Sequence, residues 1–187
     1  MNATTPLRIE NHLHPTEAKW FAIYTRFKRE KVVAKRLQKK GIHCYLPLQK
    51  LNRHYVRKVK QVELPLINCY MFVKITKKDY VPVLETQDVV KFVHFSRNLL
   101  SIPEAEINIL QRVVGEVQEL SAEPIGFYPG AEVEVIGGQL TGLRGILLEQ
   151  KNDKNFVIEL NNLGYALIMQ INPGMLELVS QPTLTCV

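Results

Sequence analysis

Residues 20–41 read WFAIYTRFKREKVVAKRLQKKG, and this stretch decides the fold of the first part of the chain. Its opening run, Trp20 to Tyr24, is apolar and aromatic, which is typical of a short strand. The segment from Lys28 to Lys40 predicts a helix, because Val33 and Leu37 lie one turn apart on one apolar side. Gly41 ends this helix by supplying the left-handed conformation that often follows a helix C-terminus.

The segments that follow extend this strand and helix into an α+β domain. CYMFVKI, at residues 69–75, is a continuous apolar run that predicts a central strand buried on both faces. The alternating VRKVKQV at residues 56–62 predicts one arm of an exposed hairpin. The remaining predicted elements are a strand from Ile42 to Pro47, a short helix from Lys78 to Thr86, a strand from Val89 to Phe95 and a helix from Ile102 to about Val117. This order is typical of a two-layer α+β sandwich.

The chain after residue 120 predicts a different architecture. AEVEVI, RGILLEQ, NFVIEL and YALIMQI are short β runs separated by turn residues, and Leu176 to Val179 supply a fifth. Five short strands of this kind predict a small SH3-like barrel, with Gly130, Gly137, Gly138, Gly142 and Gly145 in turns that require a positive φ. The predicted organisation is a mobile segment at 1–18, an α+β domain at 19–120, a linker at 121–126, a barrel at 127–179 and a tail at 180–187.

Composition limits the class of protein. Of the 187 residues, 46% are hydrophobic and 22% are charged, which is typical of a globular chain. No apolar run approaches the roughly 18 residues of a membrane span, and the first 18 residues lack the apolar core of a signal peptide. We therefore expect a cytoplasmic protein without a membrane partner. Cys44, Cys69 and Cys186 form no CxxC pair, so neither a disulfide framework nor a metal site nor another cofactor is expected.

Positive charge is concentrated in one segment. Residues 19–60 hold fourteen Lys or Arg and one Glu, a balance of +13, whereas residues 1–18, 61–122 and 123–187 have balances of −1, −2 and −4. Such a cluster indicates a polyanionic partner, most often a nucleic acid, although a solvated basic surface remains the alternative. The leading nucleic-acid candidates are Arg26, Lys28, Arg29, Lys35 and Arg36. A second basic patch, at Arg53, Arg57, Lys58 and Lys60, is expected to be disordered or to face solvent.

Catalysis is not predicted. His43 beside Cys44 and His94 are the residues that could suggest a nucleophile and its base. Adjacent residues of a strand point to opposite faces, so His43 is poorly placed to activate Cys44. Neither a phosphate-binding glycine loop nor paired acids accompany them, and we expect a protein that is not an enzyme.

Two segments of the chain resemble the NusG family of transcription elongation factors. WFAIYTRFKREKVVAKRLQKKGIHCYLP, the later PLINCYMFVKI, and DVVKFVHF followed by IPEAEI resemble the N-terminal (NGN) domain of that family. FYPGAEVEVIGGQLTGLRGIL resembles the KOW motif that opens the family's C-terminal barrel. The basic first helix and the compact PLINCYMFV segment resemble the specialised paralogs of the RfaH and UpxY type more than the general factor.

The resemblance implies partners and site residues. It implies that the first domain binds the clamp helices of RNA polymerase, with Tyr24, Tyr70 and Phe72 at the positions of the family's binding aromatics. Tyr70 and Phe72 are two residues apart and share a strand face; the alternative is that these aromatics belong to the core. It also implies contact with non-template DNA, a ribosomal protein or termination factor as the partner of the barrel, and a monomeric state. A general NusG-type factor and a KOW-type RNA-binding translation protein remain alternatives, the latter disfavoured by the −4 balance of the barrel segment.

Overall fold

The computed structural model describes residues 10–55, 58–95, 97–116, 120–124, 130–150, 153–161 and 164–179. The chain divides into two compact units, the first formed by Met1–Pro47 and Ile67–Ile107 and the second by Leu48–Leu66 and Asn108–Val187. Helices and antiparallel sheets occur together, so the predicted α+β class is confirmed. In the described part of the chain, no helix is long and apolar enough to cross a membrane.

The first unit is built on a four-stranded sheet in the order β2-β5-β1-β6. Its strands are Lys19–Thr25 (β1), His43–Tyr45 (β2), Tyr70–Ile75 (β5) and Val89–Phe92 (β6), and every pairing is antiparallel. Strand β5 lies between β2 and β1, and its residues 71–73 are fully buried. The prediction that CYMFVKI forms a strand buried on both faces is therefore confirmed.

One face of this sheet carries the core of the first unit. Phe21 and Ile23 of β1 pair with Val73 and Met71 of β5, so these four side chains project from the same face. They form one buried cluster with Val33, Leu37, Val83 and Phe92. The cluster joins the apolar side of the first helix to the sheet, which fixes that helix against β1 and β5.

The first helix, α1 (Glu30–Lys39), ends as the sequence predicts. Gly41 has a φ of +73°, its N–H donates to the carbonyl of Gln38 over 2.9 Å, and the N–H of Ile42 donates to the carbonyl of Leu37 over 3.0 Å. These bonds form a Schellman motif, closed by the apolar pair Ile42 and Leu37. The helix begins two residues later than predicted, because Lys28 adopts a left-handed conformation that a helix does not permit.

The segment between β5 and β6 is helical, as predicted, but it has two parts. A 3₁₀ turn at Lys77–Asp79 leads into α2 (Tyr80–Leu84). The side chain of Asp79 accepts hydrogen bonds from the backbone N–H and the hydroxyl of Thr76, at 3.0 and 2.7 Å. This capping arrangement stabilises the first turn. Strand β6 ends at Phe92, three residues earlier than predicted.

Residues 10–14, which lie in the predicted mobile segment at 1–18, form backbone hydrogen bonds with other parts of the first unit. The backbone of Glu10 and His12 exchanges hydrogen bonds of 2.9 Å with that of Leu99, and the carbonyl of His14 accepts one of 2.9 Å from the N–H of Lys77. Leu13 packs against the core of the first unit. Backbone hydrogen bonds of this kind hold a terminal segment against its domain, and the composition of the segment does not indicate them. Residues 1–9 lie outside the described residues.

The second unit contains the predicted hairpin. Strands β3 (Leu48–Tyr55) and β4 (Lys58–Pro65) pair over their full length, from Leu48 opposite Pro65 to Tyr55 opposite Lys58. Val56 and Arg57, which the sequence places in this arm, lie outside the described residues. Helix α3 (Glu104–Glu116) follows the first sheet and spans the boundary between the units.

A six-stranded antiparallel sheet completes the second unit, in the order β12-β8-β9-β10-β11-β7. Its strands are Leu120–Pro124 (β7), Ala131–Val135 (β8), Arg144–Gln150 (β9), Asp153–Leu160 (β10), Tyr165–Gln170 (β11) and Leu176–Leu178 (β12). The five strands predicted for a KOW-type domain are all present. Residues 121–124 of the predicted linker belong to β7, which pairs with β11. Residues 125–129 and the tail 180–187 lie outside the described residues.

The five glycines of this region serve different purposes, which corrects the prediction that all of them need a positive φ. Only Gly138 and Gly142 among them have one, at +75° and +83°. At Gly130 and Gly145 a Cβ atom would overlap the backbone of the neighbouring strand. These two positions require glycine because two strands approach closely there.

Candidate functional site

Three turns of the first unit meet at the N-terminal end of α1. The N–H of Thr25 donates to the carbonyl of Cys69 over 2.8 Å, and the N–H of Arg26 donates to the carbonyl of Asp88 over 2.9 Å. The buried carboxylate of Glu30 accepts the N–H of Cys69 over 2.9 Å. The turn between β1 and α1, residues 26–29, is therefore held by the residues that precede β5 and β6. We call residues 26–29 the basic turn.

Backbone strain is concentrated at this place. Lys28, Cys69 and Asp88 have φ values of +61°, +65° and +76°, and they are three of the four non-glycine residues with a positive φ in the described residues. Each such conformation costs roughly 1–3 kcal/mol and persists only where the surroundings enforce it. Clustered strain of this kind is a feature of functional sites.

Asp88 connects the basic turn to the helix. Its carboxylate oxygen Oδ2 accepts a hydrogen bond from Arg36 Nη1 at 2.6 Å and lies 3.8 Å from Arg29 Nε. The carboxylate is almost completely buried, whereas the Arg36 side chain is 32% exposed. Arg36 also donates to the carbonyl of Gln87 over 2.9 Å. The guanidinium of Arg36 is therefore committed to holding the loop before β6.

We expect Asp88→Asn to lower the free energy of unfolding by about 2 kcal/mol, because the buried carboxylate loses the charge that strengthens its hydrogen bond with Arg36. Asparagine tolerates a positive φ, so the backbone conformation is retained. Thermal unfolding followed by circular dichroism measures the effect. Glu85→Gln is the matched control, since it removes the same charge from an exposed position of the same segment. Equal melting temperatures for the two variants would contradict a structural role for the Asp88 carboxylate.

The predicted nucleic-acid residues divide into two groups. Arg26, Lys28 and Arg29 lie together in the basic turn and are exposed, and Lys35 is exposed in the middle of α1. Arg36 is adjacent to Lys35 in sequence but points to the loop before β6. Four of the five candidates thus have exposed side chains, and one of these, Arg29, also forms an ion pair with Asp88. The guanidinium of the fifth, Arg36, is hydrogen-bonded within the domain.

The predicted aromatic face is formed by β1, β5 and β2. Tyr24 is the direct cross-strand partner of Tyr70, and their rings pack edge to face at 5.1 Å between centroids and 79° between planes. Phe72 lies on the same face, opposite Ala22 and Tyr45, and its ring stacks on that of Tyr45 at 6.2 Å. Tyr24 and Tyr70 are half-buried, whereas Phe72 is completely buried. Only the two tyrosines of the predicted set are open to a partner.

A comparison with protein-family models identifies the first domain. The model described as transcription termination factor NusG matches residues 18–111, just over half of the 187-residue chain. The chain belongs to the NusG family. No protein of curated function matches it significantly in sequence.

A solved structure of a NusG protein has a similar fold. The structure described as domain interaction in Thermotoga maritima NusG is 18% identical, with a TM-score of 0.52, and the alignment covers 88% of this chain and 98% of that one. A chain of the MjSpt4:Spt5 complex is 19% identical over 87% of this chain and 97% of its own, with a TM-score of 0.30. The first match supports a NusG-like fold over both units; the second is too distant to define one.

Tyr45 also lies on the aromatic face, and the sequence did not lead us to predict it. Burial raises the pKa of its phenol to about 12, because the charged phenolate is poorly solvated there. A signal was available, because strand alternation in IHCYL places His43 and Tyr45 on one face and Cys44 on the other. The structure agrees with this alternation: the ring of His43 packs on Trp20 at 5.1 Å, whereas the thiol of Cys44 donates to the carbonyl of Ala34 in α1.

The two described thiols of this NusG-family chain are not activated. Burial raises the pKa of Cys44. Burial also raises the pKa of Cys69, the negative charge of Glu30 raises it further, and a hydrogen bond with Tyr24 opposes the shift. A nucleophilic cysteine needs a lowered pKa, so neither side chain has the environment of a reactive thiol. Among the described residues, no group of three metal-ligating side chains occurs.

Proposed function

We propose that this protein is a transcription elongation and antitermination factor that binds the RNA polymerase clamp and the non-template DNA strand. The observation that carries the proposal is the pair Tyr24 and Tyr70, an accessible aromatic surface on the domain that matches the NusG model. NusG-family proteins are transcription factors rather than enzymes, so the protein acts by binding. Preferential binding to the closed clamp favours that state and suppresses pausing.

The basic turn supplies the DNA contact in this proposal. The side chains of Arg26, Lys28 and Arg29 are exposed. They follow Tyr24 of the aromatic pair closely in sequence, because Arg26 is only two positions after it. The two carboxylates nearest the turn, those of Glu30 and Asp88, are buried. Phosphate groups therefore meet cations at this surface, with little opposing negative charge in contact with solvent.

Within the family, we propose a specialised factor of the RfaH and UpxY type that serves polysaccharide operons, with the C-terminal unit binding a ribosomal protein or a termination factor. The proposed boundaries are an NGN domain at 19–120 and a KOW domain at 127–179, in a cytoplasmic monomer. A general NusG-type factor is the second candidate, because the fold similarity to the Thermotoga maritima protein extends over both units.

Purified protein added to stalled elongation complexes tests the proposal. We expect a stable complex with RNA polymerase and a shorter dwell time at pause sites. Unchanged pausing and no association would overturn the function. The occupancy of transcribed regions in cells separates the two candidates, since a specialised factor is confined to a few long operons and a general factor follows polymerase on most genes.

The DNA contact predicts a change in salt dependence. A triple alanine variant at Arg26, Lys28 and Lys35 should bind the elongation complex with a log-log salt slope that is smaller in magnitude by roughly 2, since each lost single-strand phosphate contact contributes roughly 0.7. Alanine at Lys77, Lys78 and Lys91 is the matched control, because it removes three exposed lysines of the same unit. If both variants keep the wild-type slope, the basic turn and Lys35 are only a solvated surface.

A further inference from the structure

The aromatic ring of Phe27 projects from the middle of the basic turn into solvent. Phe27 is 62% exposed, and it is the only aromatic among the large apolar side chains that are exposed in the described residues. Burying a phenylalanine stabilises a protein by roughly 1.5–3 kcal/mol, a gain that this position forgoes. The ring therefore adds little to the stability of the domain and is accessible to a ligand.

The backbone holds this ring in a fixed place. The N–H of Arg29 donates to the carbonyl of Arg26 over 3.0 Å, which closes a β-turn with Phe27 and Lys28 at its two central positions. Lys28, the second of them, has a φ of +61°, and the N–H of Arg26 is bound to the carbonyl of Asp88. Phe27 is thus at the tip of a hydrogen-bonded turn that is tied to the loop before β6. A ring presented in this way loses little conformational entropy on binding.

The surroundings of the ring favour an anionic ligand with a flat apolar face. Lys28 Nζ lies 5.2 Å from the centroid of the Phe27 ring, and Arg26 and Arg29 flank the pair in sequence. Alternating cations and an exposed aromatic ring are the features with which proteins bind single-stranded nucleic acids, where phosphates contact the cations and a base stacks on the ring. A duplex offers no free base face, and an acidic peptide would use the cations without the ring.

We propose that Phe27 is a stacking platform for one unpaired base of single-stranded DNA, whose flanking phosphates contact Arg26, Lys28 and Arg29. This inference rests on the DNA contact of the proposed function and adds the residue that distinguishes single-stranded from duplex DNA. The stacking contact accepts any base, because every base has a planar face. It therefore contributes affinity and strand preference without reading sequence.

The test measures how the full chain binds a fluorescently labelled single-stranded 12-mer and the duplex of the same sequence at low salt. Loss of one stacked base weakens binding by roughly tenfold, so Phe27→Ala should raise the Kd for the single strand about tenfold. Duplex affinity should not change. Phe27→Tyr keeps a planar ring, so its Kd for the single strand should stay within about threefold of the wild-type value. Phe27→Leu lacks a planar ring and should raise the Kd as much as Phe27→Ala does. Val90→Ala, which trims another exposed apolar side chain of the same unit, is the control.

A second measurement reports stacking directly. In Phe27→Trp the new indole is exposed, whereas Trp20 is buried, so quenching of the new fluorescence on addition of the 12-mer reports contact with a base. An oligonucleotide with abasic sites at every position keeps the phosphates and should bind without quenching. Quenching by the base-containing strand alone supports the stacking role.

The outcomes separate the two claims. If the wild type binds neither the 12-mer nor the DNA of an elongation complex, the DNA contact and the stacking role both fail. If the wild type binds with the expected salt slope but Phe27→Ala has wild-type affinity, the stacking role is overturned and the basic turn keeps its function. The stacking role is also overturned if Phe27→Ala weakens binding to the single strand and to the duplex equally. It is overturned as well if the variant loses affinity only for RNA polymerase without DNA, because Phe27 would then contact protein.

Discussion

Replacing Gly145 with alanine is expected to lower the free energy of unfolding of the second unit by about 3 kcal/mol, at the upper end of the cost of overpacking. Gly145 lies in β9 between β8 and β10, opposite Val133. An added Cβ would overlap the carbonyl oxygen of Val157 and approach Phe156 Cζ at 2.8 Å. That carbonyl belongs to the backbone of β10, so relief requires β9 and β10 to separate.

Thermal unfolding followed by far-ultraviolet circular dichroism measures this effect. A loss of that size lowers the melting temperature by roughly 10 °C in a chain of this length. Gly137→Ala is the matched control in the same unit, because its Cβ meets only Met175 Cγ at 3.7 Å and its φ is not positive. We expect the control to stay within about 0.5 kcal/mol of the wild type. If Gly145→Ala and Gly137→Ala have the same melting temperature, β9 and β10 are less tightly packed at Gly145 than the structure indicates.

The elements of the first unit follow from local patterns, and for that reason the sequence predicts them well. The spacing of Val33 and Leu37, the position of Gly41 and the apolar run in β5 each determine one element without knowledge of the rest of the chain. The five strands of the second unit are predicted for the same reason. The reason for each glycine cannot be predicted in this way. Gly138 is needed for a positive φ and Gly145 for a close contact between strands, yet both appear in the sequence only as glycine.

The site is harder to predict because it depends on contacts between distant segments. Asp88 is 52 residues from Arg36, and nothing in the sequence around α1 indicates that one of its cations has a buried partner. The left-handed conformations of Lys28 and Cys69 are imposed by the meeting of three turns, and neither residue type signals a positive φ. The exposure of Phe27 follows from the same turns. Sequence therefore locates the basic segment, while tertiary contacts decide which of its side chains face a ligand.

The burial of Phe72 changes the way in which the polymerase interface can be tested. Phe72 is completely buried, and its truncation to alanine would cost roughly 3–5 kcal/mol of stability whatever its role in binding. A binding defect in that variant would be ambiguous. Tyr24 and Tyr70 are half-buried and form one cross-strand pair, so they provide the cleaner probe.

We expect the double variant Tyr24→Ala and Tyr70→Ala to bind RNA polymerase roughly thirtyfold more weakly, because loss of an aromatic anchor at the centre of an interface costs about 2 kcal/mol or more. The measurement is a titration of core polymerase without DNA, which removes the contribution of the basic turn. The double phenylalanine variant is the control, since it keeps both rings and their edge-to-face packing at 5.1 Å. If the rings make the contact, the affinity of this control for RNA polymerase should remain within about threefold of the wild-type value.

The circular dichroism spectrum and melting temperature of each variant must first show that the domain is folded, because Tyr24 and Tyr70 are half-buried and their rings pack on each other. A folded double alanine variant with wild-type affinity would remove this aromatic surface from the polymerase interface. An equal loss in the phenylalanine variant would instead assign the affinity to the hydroxyl groups. A loss limited to the alanine variant, with no change in its affinity for single-stranded DNA, would show that polymerase and DNA bind to separate surfaces of the first domain.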